Sequence, residues 1–139
     1  MKHIVLLGDS IFDNAPYIGG DPEVGSQLQS AIPVGWKSTC LAVDGATTQE
    51  MHYQLAKVPL DTTHLILSIG GNDALNQIGI FDLHVKTCAD AMLALANIVQ
   101  EFETSYNRVL DAFLTLNLPL VVCAIYNGNF PDRNYQQCV

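Results

Sequence analysis

Apolar residues along this chain fall into two alternating patterns. Ile4-Val5-Leu6-Leu7 is an unbroken apolar run, as expected of a short strand covered on both faces. Val24, Leu28, Ala31 and Ile32 recur instead at helical spacing, and the stretch stops before Pro33. Trp36 to Val43 reads as a second strand. Thr47 and Glu50 form a capping-box pair, which predicts a helix running to about Lys57, ahead of Pro59. His64 to Ile69 reads as a third strand, stopped by Gly70-Gly71. Asp82 is expected to open a long helical stretch. Its apolar stripe passes Val85, Met92, Val99 and Phe102, then resumes at Tyr106, Val109 and Phe113. The polar break Glu103-Thr104-Ser105 leaves two helices or one kinked helix open. Leu120 to Tyr126 reads as a fourth strand, and 127–139 as a polar, turn-rich tail.

Short apolar strands alternating with helices imply parallel βαβ units joined by right-handed crossovers. No repeat or linker interrupts the pattern, so residues 1–139 are expected to form one three-layer α/β domain. In such sheets, ligands gather at the carboxyl ends of the strands. Ser10, Gly45 and Asn72 each follow a different predicted strand by a few residues. The fold class therefore predicts that they meet.

Composition narrows the function classes. With 139 residues, 49% of them hydrophobic, the chain can bury a real core. Its net charge is −8 and its six basic residues are scattered, which argues against nucleic acid and against an anionic membrane surface. No apolar run reaches the ~18 residues of a membrane span. The N-terminus lacks a signal-peptide pattern, so a cytoplasmic location is expected. Cys40, Cys88, Cys123 and Cys138 form no Cys-x-x-Cys pair, and they read as small reduced core residues. No His or Cys residues sit at ligand spacing, so neither a metal nor another cofactor is expected.

Three short segments carry candidate chemistry. Gly8-Asp9-Ser10 puts a hydroxyl on a turn after the first strand. A serine nucleophile needs a base to activate it and donors for the oxyanion it creates. Gly45 offers an exposed backbone N–H, and Asn72, after Gly70-Gly71, offers a side-chain amide. Each has a plain structural alternative: a capped turn at Asp9 and Ser10, a tight turn at Gly45, an Asx turn at Asn72. The three together, each after its own strand, favour a shared site.

On these segments the chain resembles the SGNH hydrolases, also called GDSL-type esterases and lipases. Gly8-Asp9-Ser10 is similar to the first block of that family, Gly45 to the second-block glycine, and Gly70-Gly71-Asn72-Asp73 to the third block. The resemblance implies a flavodoxin-like sheet of strand order 2-1-3-4-5. It implies a small-molecule ester as substrate and Ser10 as nucleophile. The N–H groups of Ser10 and Gly45 and the amide of Asn72 would be the oxyanion donors, with Asp9 and Asp73 supporting. It also exposes a departure. The family's last block, Asp-x-x-His, supplies the base, and this chain has histidines only at 3, 52, 64 and 84. Asp61-Thr62-Thr63-His64 has that spacing but opens the third predicted strand, and no histidine follows His84. His3 and His64 begin strands, at the far end from Ser10; His52 and His84 are expected to point away. The aspartates near the site, Asp13 and Asp73, are poor bases for a hydroxyl because an ordinary carboxyl titrates near ~4. The base is thus expected outside this chain, either in a longer hydrolase or lost from a short natural form. The apolar run Leu120 to Ile125 favours the first, because such a strand belongs inside a sheet. It should be covered by a further C-terminal segment or by a partner. The alternative function is a non-catalytic module that binds carboxylates or other small anions in the same pocket.

Overall fold

The computed structural model describes residues 1–137. Its sheet is four-stranded and parallel, in the order β2-β1-β3-β4. The strands are β1 (Lys2–Gly8), β2 (Trp36–Cys40), β3 (His64–Ser68) and β4 (Leu120–Val122). The helices are α1 (Val24–Ala31), α2 (Met51–Leu55), α3 (Gly71–Leu75), α4 (Cys88–Leu114) and α5 (Arg133–Gln137).

The unbroken apolar run of β1 follows from its central place. Val5 and Leu7 point into a core shared with Met51 of α2 and with Val109 and Phe113 of α4. Ile4 and Leu6 point the other way, toward Phe12, Val24 and Leu28 of the α1 side. Two cores on opposite faces make three layers. No helix among the described residues is long and apolar enough to cross a membrane.

Several boundaries differ from the sequence pattern. The extended chain after β2 leaves the ladder at Cys40, but the Leu41 and Val43 N–H groups still donate to the Leu6 and Gly8 carbonyls at 2.8 and 3.0 Å. The Thr47–Glu50 capping box forms, and its two bonds from Thr47 hold the Glu50 carboxyl below its ordinary range. The helix it opens is short: one 3-10 turn over Thr48–Glu50, then α2. The long helix starts at Cys88, not Asp82, because Thr87 and Asp90 build a second capping box there. It is one continuous 27-residue helix. The hydroxyl of Thr104 donates back to the Gln100 carbonyl at 2.8 Å, so the polar break is absorbed without breaking the helix. α3 and α5 were expected as loop and tail.

The cysteines are free thiols, but Cys40 and Cys88 are exposed, not core residues, and Cys123 is half-buried. Cys88 opens α4 on its solvent side. Cys138 lies outside the described residues.

Candidate active site

β1 ends on Gly8, and Gly8 admits no other residue. Its φ is +130°, and a Cβ there would lie 1.7 Å from the Ser68 carbonyl oxygen of β3. The strand end is gripped from the other side by Gln54 of α2. The Gly8 N–H donates to Gln54 Oε1 and Gln54 Nε2 donates to the Gly8 carbonyl, both at 2.8 Å. Gln54 is buried, so one amide satisfies two buried backbone groups where the ladder stops.

Asp9 then shapes the turn. Its N–H donates to the Ser68 carbonyl, and its own carbonyl accepts from Phe12 and Asp13, each at 3.1 Å. Its carboxylate accepts from the Ile11 N–H at 3.1 Å. Ser10 is thereby held at the apex, half-buried, at the carboxyl end of the central strand. Burial pushes the Asp9 carboxyl above its ordinary value; the Ile11 N–H pulls it down, and the charges of Asp73 and Asp44 add to the rise.

Side-chain bonds lace the Ser10 turn to the Gly45 loop. Asp13 accepts from the Asp44 N–H at 2.8 Å, and the Tyr17 hydroxyl donates to Asp44 at 2.8 Å. Tyr17 is therefore a tie between the two loops. Gly45 itself has φ of +80° and is exposed. That conformation is unfavourable for a side chain.

The third segment closes the circle. Asn72 Nδ2 donates to the Ala46 carbonyl at 2.9 Å. Next to it, Asp73 accepts from the Thr48 N–H at 3.0 Å and from the Thr48 hydroxyl. Ser10, Gly45 and Asn72, distant in sequence, thus belong to one hydrogen-bonded cluster at the strand ends. An amide has two N–H donors, so Asn72 keeps one after its bond to Ala46. Among the described residues, the backbone N–H groups of Ser10 and Gly45 have no acceptor.

No histidine joins this cluster. His3 is buried at the other end of β1, between Asp61 at 3.0 Å and Thr39 at 2.8 Å. His64 stacks beside Trp36 at the same far end, with ring centres 5.3 Å apart. Trp36 is accordingly a packing residue. His52 is exposed, with Nδ1 bonded to the Gln49 carbonyl at 2.7 Å. His84 lies exposed between α3 and α4.

An apolar cavity of about 280 Å³ opens beside the cluster, walled by Ile78, Phe81, Leu95, Ile98, Ile125 and Phe130. Its mouth is at Gly71, where a methyl group would sit 3.9 Å from Asp9 Oδ2 and 3.8 Å from the Tyr126 ring. Sequence reasoning missed Gln54, because an amide inside an amphipathic helix carries no local mark of the strand end it grips. The cavity was missed as well. Half of its wall, Ile78, Phe81 and Phe130, comes from segments read as a loop and a turn-rich tail.

A four-stranded parallel sheet with a packed core on each face defines a three-layer α/β protein. The family model for GDSL-like lipases and acylhydrolases matches residues 4–138, and the chain belongs to that family. Among solved structures, it is similar to a lipase from a goat rumen metagenome (TM-score 0.68, 15% identity, covering 99% of this chain and 70% of that one). It is also similar to an extracellular lipase of Streptomyces rimosus (TM-score 0.62, 19% identity, 99% and 68%). A third is the psychrotrophic esterase EstA of a Pseudoalteromonas species (TM-score 0.60, 14% identity, 99% and 67%). The chain spans about two thirds of the length of these structures. At such identities the likeness is one of fold. No curated protein matches the chain.

Proposed function

We propose that this chain holds the nucleophile and the oxyanion hole of a serine hydrolase acting on carboxylic esters. One observation carries the reading: among the described residues, the backbone N–H groups of Ser10 and Gly45 and one N–H of the Asn72 amide have no acceptor, and hydrogen bonds tie their three segments together. Groups left unpaired in a laced loop cluster are suited to an anion that exists only during reaction. Ser10 Oγ attacks the ester carbonyl, and its proton passes to a base. The carbonyl oxygen becomes an oxyanion held by the three donors. The C–O bond to the alcohol then breaks, the alcohol takes the proton, and the acyl group stays on Ser10 until water removes it. Asp9 shapes the turn, and Asp73 fixes the Thr48 end of the second loop. The apolar cavity at Gly71 receives the acyl chain.

The base comes from outside residues 1–139. Support lies in the four histidines, none of which bonds to Ser10, and in the sheet edge. Val121 and Val122 of β4 are 59% and 41% exposed, an apolar edge that a further strand would cover. Residues 1–139 then form one domain completed by that segment.

The test is labelling and turnover. A fluorophosphonate should label Ser10 slowly in residues 1–139, and a short-chain aryl ester should be hydrolysed far faster by a polypeptide extended past Val139. Equal, strong hydrolysis by both would sink the external base. The missing base also favours a second reading, a non-catalytic pocket for carboxylates. It prevails if Ser10 never labels in the extended protein while acetate raises the melting temperature.

A further inference from the structure

We propose that the cleft between α2 and α4 is a binding site for a small organic anion, a carboxylate or phosphate monoester on a compact apolar body, anchored by Arg108. The cleft holds about 490 Å³, within the range of small-molecule sites. Its floor is made by core side chains, Met51, Val109 and Phe113. Its rim is polar: Gln49, His52, Ser105 and Arg108. It is separate from the Ser10 cluster. Thr48 lines it, but the Thr48 hydroxyl is turned to Asp73.

Among the described residues, Arg108 is the one Lys or Arg that lines the cleft. The chain carries 14 acidic residues against six Lys and Arg, so anions are repelled from most of its surface. Lys37 is already paired, with Asp61 at 2.6 Å. Arg108 is exposed, has no carboxylate within 4.0 Å and donates to no acceptor among the described residues. Asp111 lies three residues along the same helix, yet the guanidinium does not pair with it. A guanidinium facing a cleft with its fork unoccupied is matched to carboxylate or phosphate oxygens. His52 stands at the same rim, with Nδ1 donating to the Gln49 carbonyl; in the neutral ring Nε2 is an acceptor, so the anion is held by Arg108 and not by His52.

The adjoining groove sets the orientation. It shares Gln49 and Ser105 with the cleft but carries Glu50, Asp73 and Glu101. An anion is repelled from that end and drawn to the Arg108 end. The polar break in the α4 stripe supplies Ser105, which lines both grooves.

The experiment is calorimetry with phenyl phosphate and benzoate, and with benzylammonium as the cation of similar shape. Phenyl phosphate should bind one to one and benzylammonium should not bind. Arg108→Gln should weaken binding about tenfold or more, the size expected when a charge-assisted hydrogen bond is lost. Ala112→Trp, which fills the cleft, should abolish it. Arg133→Gln, away from the cleft, should leave it unchanged. The proposal is overturned by equal binding of benzylammonium, by affinity indifferent to Arg108→Gln, or by no detectable heat. Binding that survives Arg108→Gln but falls in Asn72→Ala belongs to the strand-end cluster and overturns it equally.

Discussion

On the proposed function Asn72 has two jobs for one amide, and the two can be separated. One N–H holds the Ala46 carbonyl at 2.9 Å; the other is free for an oxyanion. Asn72→Ala removes both. The structural bond is partly buried and neutral, worth about 1 kcal/mol. An oxyanion donor is worth ~3–4 kcal/mol of barrier. Turnover of the extended enzyme should therefore fall on the order of 10²–10³-fold, while its melting temperature drops by only a few degrees. A matched loss of both would assign Asn72 a structural role alone. Gln54 is the reverse case. It touches no substrate, but Gln54→Ala strands the buried N–H of Gly8, costing roughly 1–3 kcal/mol, and leaves the Gly8 carbonyl with the Val43 N–H alone. Chemical denaturation should show a large loss of stability. Gln54→Glu should rescue it only in part, because a carboxylate cannot donate to the carbonyl. The placement of Ser10, Gly45 and Asn72 beyond the ends of three strands was legible in the sequence because each sits on a motif after a strand. Gln54 was not, because its role exists only once α2 lies against the end of β1.

Elements were legible where one short-range pattern decided them. β1 and β3 read as continuous apolar runs because both faces are covered, and α1 was set by its spacing and Pro33. The start of α4 was misread because its cap is Thr87 with Asp90, and the apolar stripe already begins at Val85 in the preceding loop. Thr87→Ala tests that assignment. It removes the acceptor of the Asp90 N–H, at 3.1 Å, and should cost about 1 kcal/mol with no shift of register. Hydrogen exchange should speed up in the first turn of α4 and stay unchanged near Phe113, which packs on the sheet. The short β4 has a different cause. Its run is apolar to Ile125, but one ladder neighbour, β3, pairs with only three of its residues.

The two ends of the sheet carry opposite electrostatics, and pH separates them. At the amino end, Asp61 ties β1 to β2: it meets Lys37 at 2.6 Å and His3 at 3.0 Å. Lys37 first, then His3, hold its carboxyl down to about 2. A depressed carboxyl stabilises the fold above its unfolded value, near ~4, and that contribution is lost as pH falls toward 2. At the carboxyl end, burial pushes Asp9 up, so its ionisation opposes folding at neutral pH and the opposition lifts on acidification. Two variants read these signs. Asp61→Asn should melt below the parent at pH 6, with the gap closing between pH ~4 and ~2. Asp9→Asn, which keeps the acceptor for Ile11, should melt above the parent at pH 7, with the gap closing as pH falls toward the ordinary carboxylate range. Salt should shrink the Asp61 gap, because that carboxylate is exposed, and leave the Asp9 gap, because that one is buried. A chain that keeps an unfavourable carboxylate under its serine turn, and a favourable one at the opposite edge, has its electrostatic cost concentrated at the proposed site. If Asp9→Asn lowers the melting temperature at pH 7, that cost is absent and Asp9 is a stabilising turn residue only.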